Sequence, residues 1–74
     1  MAEIQVKVYY DSVGNTLTVW WGNPENAITS EETGEEMVLM KDKNGRVIGF
    51  EKWNLASQPG ATRVQFEALT GIEA

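Results

Sequence analysis

Four residues in the middle of the chain have the spacing of a cation loop. Asp42, Asn44, Gly45 and Glu51 fall at the third, fifth, sixth and twelfth positions of an EF-hand loop, where calcium takes oxygen ligands and a glycine makes the sharp turn. The first position, however, is Met40, whose thioether is no ligand for a hard cation. Asp42 and Asn44 are better read as turn residues and Glu51 as a cross-strand residue, so no metal site is expected. Nucleophilic catalysis needs an activated Ser, Cys, Thr or Lys beside a base, usually His, and the chain has neither Cys nor His. Two glutamates could serve as a glycosidase pair, but 74 residues leave little room for a sugar cleft. No catalytic residue and no cofactor is expected, and the chain reads as a non-enzyme.

The residues that remain are those of surfaces. Six Lys and Arg against eleven Asp and Glu give a net charge of −5, which repels phosphate backbones and argues against nucleic acid. Lys41, Lys43, Arg46 and Lys52 at one hairpin end have the right types for it, and the net charge opposes them. The acidic charge is local, with Glu25, Glu31, Glu32, Glu35 and Glu36 in or beside one connecting stretch. Its plain reading is a solvated loop; its sharper one is a docking site for a basic protein through Glu31, Glu32, Glu35 and Glu36. Trp20 and Trp21 are the second feature. Neighbours on a strand point to opposite faces, so both cannot enter one core. Met37-Val38-Leu39-Met40 poses the same problem, and a single sheet with one wet face should not carry it. Either the C-terminal segment or another subunit covers the second face. Homodimerisation is expected, with Trp20, Trp21, Met37, Leu39 and Trp53 as candidate interface residues.

The elements that position these residues are strands. Ile4, Val6, Val8 and Tyr10 alternate with polar neighbours and Tyr9, the period-2 pattern of a half-buried strand. The same stretch holds charges, so it is neither a signal peptide nor a membrane span, and cytoplasmic residence is expected. Asp11 to Asn15 supply a turn. A second strand runs from Thr16 to Trp21 and stops at Gly22-Asn23-Pro24. Ala27 to Thr33 reads as a short third strand. Glu36 to Asp42 and Arg46 to Leu55 flank Asn44-Gly45, a strong hairpin signal. A three-residue Lys43-Asn44-Gly45 loop pairs Asp42 with Arg46, Met40 with Ile48, Val38 with Phe50 and Glu36 with Lys52, avoiding the Lys43–Arg46 opposition of a two-residue loop. That register sets Leu39 against Gly49, where a glycine implies a close approach by a bulky neighbour. Residues 62–68 alternate again and read as a sixth strand, with a short helix through Val64, Ala68 and Ile72 as the competitor.

The expected fold is all-β, one antiparallel sheet or meander of five or six strands spanning 1–74 as a single domain. A chain of this length buries only about 60% of its unfolded surface and has no disulfide to compensate, which favours oligomerisation.

The hairpin Asn44-Gly45-Arg46-Val47-Ile48-Gly49-Phe50-Glu51 resembles the D-G-R-V-V-G-I-E hairpin of a small bacterial and archaeal family, domain of unknown function twenty-two eighty-three. Tyr10-Asp11 with Leu17 and Val19 resembles that family's Y-D-x-x-x-D-x-L-Y-I opening, and Asn54 with Ala56-Ser57 its hairpin exit. The resemblance covers about 10–57 and leaves a divergent tail at 58–74. It implies a small antiparallel β domain of bacterial type. Some relatives lie beside toxin-like genes, so it also implies an antitoxin-like role with a basic partner. The alternative is a small ligand binder or carboxylate enzyme with its site between subunits.

Overall fold

The computed structural model describes residues 4–58 and 62–67. Five antiparallel strands form one sheet: β1 (Lys7–Asp11), β2 (Thr16–Trp20), β3 (Thr29–Glu32), β4 (Met37–Lys41) and β5 (Val47–Lys52). Their order across the sheet is β1-β2-β5-β4-β3. It is not a plain meander. The connection from β2 crosses one end of the sheet to reach the far edge, so β2 to β5 form a Greek key. A 3₁₀ turn at Pro24–Asn26, capped by the Asn23 side chain, shapes that crossing. The crossing passes close over β5: a Cβ on Gly22 would lie 2.7 Å from Ile48 Cβ.

β1 begins at Lys7 rather than at Ile4, because its partner runs out. Lys7 pairs with Trp20, and the next amides, of Trp21 and Gly22, donate to the Ile48 carbonyl instead. Residues 62–67 form neither strand nor helix. They form no ladder with β1, and Val64 and Phe66 instead share a hollow of about 530 Å³ with Val6, Val8 and Tyr10. The remainder of the expected strand or helix, Ala68 to Ile72, lies outside the described residues.

The β4–β5 turn is as expected: the Gly45 amide donates to Asp42 O, Asp42 pairs with Arg46, and Gly45 takes φ 80°. Asp42 Oδ1 accepts from the Asn44 and Arg46 amides, which gives the carboxylate a structural use in place of the cation role its spacing suggested. Beyond Lys41 the register shifts by one. Lys41 pairs with Val47 but Met40 with Gly49, leaving Ile48 as the extra residue of a bulge. Val38 therefore faces Glu51 and Leu39 faces Phe50, which corrects the expected Met40–Ile48, Val38–Phe50 and Glu36–Lys52 pairs. The reason sits on the other side of β5. A Cβ on Gly49 would meet Trp20 Cε3 at 2.7 Å, so the bulky neighbour at Gly49 is Trp20 and not Leu39. An aromatic ring lying on a strand glycine is a known way to pin register.

Candidate functional site

The pairings sort the side chains onto two faces. One face carries Trp20, Gly49, Met40 and Val38. Val38 and Met40 are buried there, as is Ile48 beneath the crossing connection. The other carries an apolar row across four strands, Val8–Val19–Phe50–Leu39, because each is the cross-strand partner of the next. Tyr10, Leu17 and Met37 flank the row on one side. Trp21 flanks it on the other, its ring 6.1 Å from that of Phe50 and its Nε1 donating to Val47 O. Val8 and Trp21 are exposed, and the remainder are half-buried. Among the described residues no large side chain is fully buried.

The two tryptophans thus lie on opposite faces, as strand geometry requires. Trp21, Met37 and Leu39 share the exposed apolar face, while Trp20 is half-buried over Gly49 on the other. Trp53 sits at the sheet end, where it shares a hollow with Glu32, Gly34, Glu36 and Met37. Of the interface candidates, then, three come together, one joins them at the rim and one turns away.

The four acidic candidates are divided. Glu31 is paired with Lys41, and Glu36 lies 3.9 Å from Lys52 Nζ and accepts from Asn54 Nδ2. Glu32 follows Glu31 on β3 and so points to the opposite face. Glu35 is in the turn, its amide against Thr33 Oγ1. Two lysines therefore neutralise half of the acidic group, at the rim of the apolar row. Among the described residues no three acidic side chains are placed to hold a metal ion, and no helix is long and apolar enough to cross a membrane.

Asn15 is the residue that sequence reasoning missed. It reads as a turn residue, and it does take φ 58°. Yet it is the one buried polar side chain among the described residues. Its Nδ2 donates to Ala56 O at 2.7 Å, its Oδ1 accepts from the Ala56 amide, and its own carbonyl accepts from the Leu55 amide. It fastens the chain leaving β5 onto the β1–β2 turn. A clue was present in the Ala56-Ser57 exit motif, but nothing local connects it with Asn15.

Among proteins of known sequence, the family described as Protein of unknown function (DUF2283) matches residues 7–55, more than half of the chain. No curated protein and no solved structure matches.

Proposed function

The chain belongs to the family Protein of unknown function (DUF2283), and from that premise we propose that it is a non-catalytic assembly module acting as a homodimer. Two sheets pack through the Val8–Val19–Phe50–Leu39 row. The observation that carries this reading is the state of the core: Val38, Met40 and Ile48 are its buried hydrophobics, all tied to one face, while the opposite row stays half-open. Sheets pack about 10 Å apart with their apolar faces inward. Four strands about 4.8 Å apart carry the row roughly 14 Å across the sheet, and contiguous exposed apolar surface is often an interaction site. A second copy suits this surface because its centre is uncharged and its rim carries both signs, Lys41 with Glu31 and Lys52 with Glu36.

A basic partner, the antitoxin-like version of the reading, has less support, since Glu31 and Glu36 already face lysines and Glu32 points away. The test is the native mass of the untagged protein by light scattering over a concentration series. A dimer or larger assembly is expected, and Leu39→Glu, with a glutamate at the β4 end of the row, should lose the contact through this face while circular dichroism still shows a folded chain. A wild-type monomer at every concentration would refute the reading.

A further inference from the structure

The two edges of the sheet differ in kind. β3 is four residues long, exposed throughout and half acidic, which protects an edge against pairing with another strand. β1 is one residue longer, keeps its charges at its two ends, Lys7 and Asp11, and has an uncharged centre, Val8-Tyr9-Tyr10. It presents Lys7-Val8-Tyr9-Tyr10-Asp11, and no hydrogen bond from the described residues occupies its outer side. Its sequence is also complementary to itself in reverse. An antiparallel pair centred on Tyr9 sets Tyr9 against Tyr9 of a second copy, Val8 against Tyr10, and Lys7 against Asp11 twice over.

We propose that β1 is a self-pairing edge, joining two copies about a two-fold axis perpendicular to the sheet into one ten-stranded sheet. The charges at the two ends of the strand hold the register. Lys7 has no ion-pair partner among the described residues. Asp11 uses Oδ1 for the Val13 and Gly14 amides, while Oδ2 lies over Gly14 and makes no hydrogen bond among the described residues, so the carboxylate keeps an oxygen for a cation at that end of the strand. Opposite charges directly across an antiparallel pair stabilise it. A slip of two residues, the smallest that keeps each face intact, sets Lys7 against Tyr9 or Tyr9 against Asp11 and loses both ion pairs. The pairing also keeps faces continuous: Val8 lies in the apolar row and Tyr10 beside it on the same face, so apolar surface runs across the seam from one copy into the other. The hollow lined by Val6, Val8, Tyr10, Val64 and Phe66 lies against that seam. Tyr9 at 56% and Val8 at 41% exposure have surface to lose there.

This contact is separate from the face-to-face packing proposed above and stands without it; together the two build four chains, two ten-stranded sheets laid face to face. The chain has no cysteine, which allows a clean cross-linking test. Cross-strand neighbours place Cβ atoms about 4.5–5.5 Å apart, close enough for a disulfide after small adjustment. Tyr9→Cys should therefore oxidise to a covalent dimer at least tenfold faster than Val13→Cys, a turn position 93% exposed. Adding Lys7→Glu, which sets Glu against Asp11, should remove that advantage. Equal rates for Tyr9→Cys and Val13→Cys would overturn the edge pairing. If Tyr9→Cys fails to fold, Lys7→Glu alone decides: weaker self-association by light scattering supports the proposal, and unchanged association overturns it. A wild-type dimer that Leu39→Glu dissociates, with no selective Tyr9→Cys cross-link, would leave the face packing and remove only the edge. Selective cross-linking with no effect of Leu39→Glu would do the reverse.

Discussion

Gly49 is where single atoms decide the register. The Trp20 ring occupies the space above it, and the Val19 carbonyl lies 2.7 Å from where a Cβ would sit. The ring can tilt, but the carbonyl belongs to the β2–β5 ladder and cannot move without disturbing it. Gly49→Ala should therefore destabilise the fold by about 1–3 kcal/mol, the usual cost of forcing a methyl into a packed site. At about 4–8 °C per kcal/mol for a domain of this size, a melting curve would register it clearly. An unchanged melting temperature would mean that Trp20 does not rest on this glycine. Asn15 works at the same scale by other means, holding both the amide and the carbonyl of Ala56 in a buried position, where an unpaired polar group is costly.

At the level of elements, the β4–β5 hairpin was legible from sequence near its turn and not beyond it. Asn44-Gly45 sets the turn locally: Gly45 takes the left-handed conformation that glycine adopts without strain, and Asp42 caps two amides of its own loop. The Ile48 bulge depends on Trp20, which reaches Gly49 from a strand that precedes the hairpin by a long connection, and no local pattern encodes that contact. The same limit explains the false sixth strand, since alternation at 62–67 does not by itself supply a hydrogen-bonded partner. β3 illustrates an element shaped for what it avoids. With Glu31→Val and Glu32→Val the edge becomes apolar and β-branched, and scattering should show species larger than the native assembly. A variant that keeps the native mass would mean the acidic edge does not guard against association.

For the whole molecule, charge separates the two partner readings. Each copy carries −5, so two copies repel at long range while their apolar faces attract. Salt screens that repulsion, with a Debye length of about 10 Å at 0.1 M and about 30 Å at 0.01 M. Homodimerisation through the row should therefore tighten as salt is raised, measured by sedimentation across that range. Binding to a basic partner would weaken over the same range. Self-association that loosens with salt would place charge pairs, and not the apolar row, in control of assembly.

The sequence by itself determined the all-β class, the positions of the turns, the family and the conflict of two apolar faces in one thin sheet. Each of these is written in neighbours a few residues apart, through period-2 alternation, turn-forming residues and the opposite directions of Trp20 and Trp21. Only the tertiary structure decided the strand order, the bulge at Ile48, the Asn15–Ala56 lock and the division of the glutamates between lysine partners and open solvent. Those features arise from contacts between residues distant in the chain, and they depend on which strand lies beside which. A Greek key and a meander can share the same local pattern, and the order of the strands is what brings Trp20 onto Gly49 and leaves β1 at the edge.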